Sequence, residues 1–418
     1  MRILLSAYAC RPNAGSEPGF GWNWATHLAA RGMDVHVLVA QRNRGPIEEG
    51  LRGNSIPNLH FTYIAVPYEW AKKNESVYYA LWQGAALKAA RDLSSQFQFD
   101  LAHHVTYGSV HVPTQLWRLG IPVIFGPVGG GQIAPKSMLK YFGSDKSKEK
   151  LRSLATKALT SSPLHRYWLR QMSFVLAANH DTLSLVRALG CQNASLMCDT
   201  GISEDYFAPK PRTFRTQNGP LKLLWVGRIL TRKALPLALD ALKRVGENVT
   251  LTIAGEDPNG PDATLRMIRK QKLEHRVFWK GSRLSYRDLR RAYAERDVML
   301  FTSLRDSFGS QLLEAMAMGL PIITLDLHGA HDHVPAGASI KVPIAKPEET
   351  VHNLAVAIQE FASYSPFKKD EMSRRGWEFA KGLSWRGRVE FIEKLYQQIL
   401  TKATPVESVN RKVAAANI

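Results

Sequence analysis

Two acids, two cations and a glycine turn mark the part of this chain best suited to chemistry. The segment Asp306-Ser-Phe-Gly-Ser-Gln-Leu-Leu-Glu314 follows an apolar, strand-like run that ends near Thr302 and passes into a helical pattern from about Ser310. A helix start leaves its first backbone N–H groups without partners and carries a partial positive charge, so the amides of Gly309 and Ser310 suit a phosphate. Asp306 in the loop and Glu314 just over one turn into the helix would then flank the anion, where carboxylates can accept hydrogen bonds from sugar or ribose hydroxyls. Each residue alone also fits a plainer role, Asp306 and Ser310 as capping residues and Glu314 as a solvated helix charge.

A second segment has the complementary charge. After the run Leu223–Val226 comes Gly227-Arg228-Ile-Leu-Thr-Arg-Lys233-Ala, then an apolar helical stretch. An arginine offers a diphosphate paired N–H donors and a lysine offers a point charge, so Arg228 and Lys233 are the candidates to neutralise one. Solvated basic residues on a loop are the alternative. No Asp-x-Asp pattern follows a strand, and Leu325-Asp-Leu-His is not one, so no catalytic metal and no cofactor are expected.

Two further glycine-containing turns follow strands. The run Ala9-Cys-Arg-Pro-Asn-Ala-Gly15-Ser16-Glu-Pro-Gly-Phe-Gly21 leads into a helix with Trp22 and Trp24, and lets a ligand approach the backbone closely at Gly15 and Ser16. Its spacing is not the dinucleotide-binding G-x-G-x-x-G. The run Gly126-Pro-Val-Gly-Gly-Gly131-Gln also follows a strand and could line the same cleft. His103 and His104 end another strand. Successive strand residues point to opposite faces, so only one of them could face a cleft.

These residues need a scaffold, and the chain supplies one by alternating short apolar runs with helical stretches. One series comprises Leu4-Leu5, Val35–Val39, Phe61–Ile64, Leu101–Val105, Val123–Phe125 and Phe174–Ala178. A second comprises Leu223–Gly227, Leu251–Gly255, Val277–Trp279, Val298–Phe301 and Ile322–Leu325. Between them Pro209, Pro211, Gly219 and Pro220 lie among polar residues as a linker. The reading is α/β, two doubly wound parallel-sheet domains over residues 1–205 and 206–384, with a helix at about 385–402 crossing back to the first. Ligands of such sheets bind beyond the carboxyl ends of the strands, which points to the cleft between the domains.

The segment 306–314 resembles the E-x7-E motif of family-four retaining glycosyltransferases, with aspartate in place of the first glutamate. Gly227-Arg228…Lys233-Ala234 is similar to that family's Gly-Arg…Lys-Gly, with alanine for the last glycine. The resemblance covers about Leu221 to Pro335 closely, and residues 1–200 in order of elements. It implies a GT-B fold with an N-terminal acceptor-binding and a C-terminal donor-binding domain. It also implies transfer of a hexosyl group from a nucleotide diphosphate sugar with retention, independent of metal. Under it Asp306 contacts the donor sugar and Glu314 the ribose. The amides of Phe308, Gly309 and Ser310 meet the diphosphate and sugar, and Gly15 and Ser16 face the donor phosphate. Arg228 and Lys233 stabilise the leaving diphosphate, and a histidine, His104 before His103, sits near the transferred sugar.

Length and composition set the remaining bounds. A chain of 418 residues exceeds one ordinary core, and 45% apolar with 22% charged residues is globular. Three cysteines, Cys10, Cys191 and Cys198, give neither a metal spacing nor an even disulfide framework, as in a reducing compartment. The first apolar run is too short for a secretory signal, and no stretch reaches the roughly 18–20 apolar residues of a membrane span. The expected place is the cytoplasm, or the inner face of the cell membrane. A net charge of +19 favours anionic partners. Lys136–Arg170 holds nine Lys/Arg against two acids, interleaved with aromatic and aliphatic residues. It suits an anionic membrane surface and a lipid-linked or surface-polysaccharide acceptor, or else an insertion packed on its own domain. Other GT-B enzymes (a nucleotide-sugar epimerase, a phosphorylase) and a basic nucleic-acid or lipid binder without turnover are the rivals. No helix-turn-helix, RNA-binding strand motif or zinc-ligand pattern appears, so nucleic acid is not expected.

Overall fold

A computed structural model describes residues 1–53, 55–215, 219–281 and 284–403. The chain folds around two fully parallel sheets. The first contains β1 (Arg2–Ser6), β2 (Asp34–Ala40), β3 (Leu59–Ile64), β4 (Leu101–His104), β5 (Val123–Val128), β6 (Phe174–Ala177) and β7 (Ala194–Leu196), in the order β3-β2-β1-β4-β5-β6-β7. The second contains β8 (Leu221–Val226), β9 (Val249–Ala254), β10 (Val277–Trp279), β11 (Val298–Phe301), β12 (Ile322–Leu325) and β13 (Ser339–Val342), in the order β10-β9-β8-β11-β12-β13. In both sheets the strand order reverses next to the first strand, between β1 and β4 and between β8 and β11. The loops that follow those four strands open onto the crevice where doubly wound folds bind ligands.

The central strands read as continuous apolar runs because helices cover both faces. β4, β5, β8, β11 and β12 are buried along most or all of their length. Two of the four edge strands, β7 and β13, had no sequence counterpart. Ala194-Ser-Leu is three residues long, and Ser339-Ile-Lys-Val puts a polar residue at alternate positions, as suits an edge with one open face.

The chain crosses between the sheets twice, side by side. Ile202 N–H donates to Leu383 O at 3.1 Å and Trp385 N–H donates to Ile202 O at 3.1 Å. From there the helix Trp385–Ala403 lies on the first sheet. Trp385, Val389, Ile392 and Tyr396 are buried with Ile3, Leu5 and Trp24 of the first unit. Arg388, itself buried, donates to the carbonyl of Cys198 and stacks over Trp24 and Trp385. Among the described residues no helix is long and apolar enough to cross a membrane.

The basic segment is divided between three environments. Met138, Tyr141 and Phe142 are buried in the core of the second unit. Tyr141 Oη donates to Asp240 Oδ2 at 2.9 Å, and Lys140 pairs with Glu348 at 3.0 Å. Leu159 and Leu169 are buried in the first unit. The helix Lys146–Ala158 between them is inverted relative to an ordinary surface helix. Its buried side chains are Glu149, which pairs with Arg305 at 2.8 Å, and Thr156, while Leu151 and Leu154 are 69% and 65% exposed.

Candidate functional site

A cavity of about 510 Å³ opens between the two sheets. It is lined by Gly15, Ser16 and Glu17 from one side and by Arg228, Arg232, Lys233, Asp306, Gly309, Ser310 and Glu314 from the other. A neighbouring hollow of about 780 Å³ shares Gly15, Ser16, Phe20, Ser310 and Glu314 with it. Both volumes are in the range of small-molecule sites, which run from roughly 300 to 1,000 Å³.

Two helix N-termini face this cavity without a capping side chain. The helix Ser16–Ala30 starts after Gly15, and the helix Ser310–Ala317 starts after Gly309; neither cap makes a side-chain hydrogen bond. Gly309 has φ +102, a conformation L side chains rarely adopt, and that turn aims the first amides of the helix at the cavity. In the first loop, a Cβ on Gly21 would lie 2.1 Å from the carbonyl oxygen of Ala9, so only glycine lets loop and helix close up. Phe308 does not line the cavity. Its ring is wholly buried, edge-on to His333 at 5.5 Å, so it anchors the turn and can offer a ligand only its backbone.

The charged groups form a compact set at the β8/β11 crevice. Lys233 is 5% exposed, and its Nζ donates to Asp306 Oδ2 at 2.5 Å and to Gln311 Oε1 at 3.4 Å. Arg232 pairs with the same Oδ2 at 3.1 Å, and Ser303 Oγ donates to it at 3.3 Å. Burial alone would raise the Asp306 carboxyl, but Lys233 and Arg232 outweigh it and hold the group far below the usual carboxylate range. Its Oδ1 has no partner among the described residues. Burial depresses the Lys233 ammonium from its ordinary value, partly offset by Asp306. Arg228 is exposed in the cavity wall and makes no ion pair with a described residue. Glu314 accepts from Tyr293 Oη at 2.9 Å, and burial raises its carboxyl above the usual value.

The histidine expectation is not met. His103 and His104 are both fully buried, and neither lines the cavity. His103 Nε2 donates to Gly126 O at 2.7 Å and its Nδ1 lies 2.6 Å from Tyr396 Oη. His104 Nε2 is 3.0 Å from Tyr79 Oη and its Nδ1 2.9 Å from Ser6 Oγ. The alternation of strand residues sends the two rings to opposite faces of the sheet, and both faces are covered by helices, one by Trp385–Ala403 and the other by Glu75–Ser94. Burial lowers His103 to about 4 and, with His103 beside it, His104 to about 3. The run Gly126–Gln132 does not line the cavity either; Gly126 packs on Leu176 and Gly131 on Thr182 of its own unit, and Gly129 lies against Ser307 of the second.

Among the cavity residues not picked out in the sequence as site groups are Arg232, Glu17 and Asp199. Arg232 sits in the same loop as Lys233 and was legible as a third cation. Glu17 accepts from Tyr107 N–H at 2.9 Å, and burial, reinforced by nearby Asp199, lifts its carboxyl to about 7. Asp199 accepts from Ser307 Oγ and from Thr200 Oγ1, and burial raises it as well. Asp199 lies on the crossing strand of chain after β7, where no local pattern marks it.

Two Rossmann-ordered sheets facing a cleft, with uncapped helix N-termini and cations at its centre, define a GT-B-type architecture. Two sequence profiles agree, "Glycosyl transferase 4-like domain" over residues 22–197 and "Glycosyl transferases group 1" over residues 220–363. The chain belongs to the family-four glycosyltransferases of GT-B fold. It is 23% identical over 253 residues to the phosphatidylinositol N-acetylglucosaminyltransferase gpi3 subunit of Schizosaccharomyces pombe, a match spanning 59% of this chain and about half, 53%, of that protein. It is 21% identical over 405 residues to the N-acetyl-alpha-D-glucosaminyl L-malate synthase of Bacillus anthracis, spanning 88% of this chain and 94% of that one. Among solved structures, the sucrose-phosphate synthase of Thermosynechococcus elongatus superposes with a TM-score of 0.67 at 18% identity, covering 96% of this chain and all of that one. The Anabaena HepE protein in complex with UDP and glucose superposes with a TM-score of 0.59 at 15% identity, covering 95% of this chain and 100% of that one.

Proposed function

We propose that this protein transfers a hexosyl group from a nucleotide diphosphate sugar to an acceptor with retention of configuration, without a catalytic metal. One observation carries the reading: an uncapped helix N-terminus at Ser310, Arg228, Lys233 and Glu314 converge on one interdomain cavity. The amides of Gly309 and Ser310 bind the diphosphate, and Arg228 and Lys233 neutralise the charge that builds on it as it departs. Glu314, held by Tyr293, accepts from the ribose hydroxyls. Asp306 fixes Lys233 through Oδ2 and keeps Oδ1 for a donor-sugar hydroxyl. No side-chain nucleophile is required, because the acceptor attacks the face the diphosphate leaves and the donor phosphate takes its proton. The protein's share is orientation and electrostatic stabilisation. His104 has no part in it, since its ring is sealed under the helix Glu75–Ser94.

Calorimetric titration with UDP, GDP and ADP, with and without EDTA, tests the donor site. One nucleotide binds clearly best, UDP being the first candidate from the HepE complex, and EDTA does not change its affinity. Glu314→Ala weakens it by about 1.5–3 kcal/mol, roughly ten- to a hundredfold, as for a lost hydrogen bond to a charged group. Binding of none of the three sinks the proposal.

The acceptor side rests on the inverted helix. Leu151 and Leu154, with Leu164 and Tyr167 on the next helix (Pro163–Arg170), are exposed among Lys146, Lys148, Lys150, Lys157 and Arg166. Apolar side chains ringed by cations fit an anionic bilayer surface, so the acceptor we propose is lipid-linked and the enzyme is peripheral on the inner face of the cell membrane.

A further inference from the structure

At the far end of the first sheet from the cleft, three side chains form a second site. β2 and β3 are parallel neighbours, and their register sets His36 opposite His60. Asp34 lies two residues before His36 on β2 and so projects from the same face. The consequence is a cluster of one carboxylate oxygen and two imidazole nitrogens, all within 4.8 Å of one another. Asp34 Oδ1 is 3.2 Å from His60 Nε2 and 3.4 Å from His36 Nε2.

These separations are not hydrogen bonds. Asp34 Oδ1 and His36 Nε2 are buried atoms that lack a hydrogen-bond partner, although the His36 side chain is only 6% exposed. Leaving such groups unpaired is costly, and their convergence on one point asks for a partner. A tetrahedral ion with bonds of about 2.0–2.1 Å separates its ligand atoms by about 3.3–3.4 Å, close to both spacings here. Two neutral imidazoles and a carboxylate are ligands suited to zinc and its neighbours in the first transition series. The surroundings fit the same role. Arg2 donates to the other carboxylate oxygen, Oδ2, at 2.6 Å, which orients Oδ1 while lowering the local negative charge. Phe97 and Phe99 pack on the His36 ring with centroids at 4.7 and 5.2 Å. His60 is half exposed and gives an ion its way in.

We propose that Asp34, His36 and His60 bind one divalent transition-metal ion, zinc being the first candidate, with water completing the coordination. Since β3 is one edge strand of the seven-stranded sheet, the ion staples that edge to β2. The site is independent of the sugar-transfer proposal, because it lies at the amino end of the strands.

Full-length protein, stripped with EDTA and desalted, is titrated with ZnCl2 and separately with CoCl2. One equivalent of each is expected to bind, with visible cobalt bands of a four- or five-coordinate ion and a rise in the thermal unfolding midpoint with zinc. His60→Ala, at a half-exposed position, and Asp34→Asn each keep the circular dichroism spectrum and lower zinc affinity by at least about tenfold, a loss seen even for changes behind the ligands. His60→Ala also removes the zinc-dependent rise in the midpoint. Absence of saturable zinc or cobalt binding in the wild type, or wild-type affinity retained in both folded variants, overturns the proposal.

Discussion

Asp306 pairs with two cations and, in the proposed function, also meets the donor sugar. Its side chain reaches both Lys233 and Arg232 with a single oxygen. Removing it would strand a buried ammonium, which costs about 3–5 kcal/mol when a buried pair is broken. Loss of activity on truncation at 306 therefore cannot be read as lost sugar contact alone. Glu17 offers a cleaner test. Its carboxyl, lifted to about 7 by burial, loses its charge as pH falls through neutrality, and it shares the cavity with the proposed diphosphate site. Protonation removes a negative charge from the neighbourhood of an anion, so affinity for the preferred nucleotide sugar rises from pH 8 to pH 6. In Glu17→Gln that rise is absent, and affinity at pH 8 matches the wild type near pH 6. A pH dependence identical in the two proteins refutes the assignment.

At the scale of elements, β4 carries its two histidines as structural pins. His103 ties the sheet to Tyr396 on the last helix, and His104 ties it to Tyr79 on the helix Glu75–Ser94. Their folded pKa values, about 4 and about 3, lie below the value near 6.5 of an unfolded chain. Between those limits the unfolded state binds the proton and the folded state does not, so stability falls as pH drops from 6.5 towards 4. Each contributes about 1.4 kcal/mol per pH unit. Glu17 acts in the opposite sense, being protonated earlier in the fold than in the unfolded chain, and offsets one of them in part of that window. Urea unfolding at pH 6.5, 5.5 and 4.5 should show the decline in the wild type. His103→Gln should be less stable at pH 6.5, with a shallower decline by about 1.4 kcal/mol per pH unit. An unchanged slope contradicts the assignment of His103 as a neutral buried group.

On the scale of the whole molecule, the two units meet along a continuous seam behind the cavity. His180 pairs with Asp332 at 2.8 Å, Asp181 with His328 at 2.9 Å, and Asn179 donates to Ser307 O at 3.1 Å. The turn at Ser307 is thus held by the first unit. The charge of +19 is distributed over the whole chain, and Lys146–Arg170 sets part of it around the exposed Leu151, Leu154 and Leu164. Co-sedimentation with phosphatidylglycerol vesicles, and none with phosphatidylcholine alone, is the expected outcome. The triple change Lys146→Glu, Lys148→Glu and Lys150→Glu, together with Leu151→Ser and Leu154→Ser, abolishes it. Equal binding by wild type and variant removes this face as the membrane contact.

The sequence by itself determined the architecture and the donor half of the candidate site. Buried parallel strands must be apolar from end to end, so their alternation with helices was visible, and Arg228, Lys233, Gly309, Ser310 and Glu314 sit within single strand-loop-helix units whose local order is their geometry. What lay between units was not legible. The folding of Lys136–Asp145 into the second core, the burial of both histidines, and the arrival of Glu17 and Asp199 at one cavity depend on contacts between residues far apart in the chain. Likewise Asp34 and His60 are brought together by strand pairing alone. Periodicity reports which face of an element is apolar; only tertiary packing decides what that face meets.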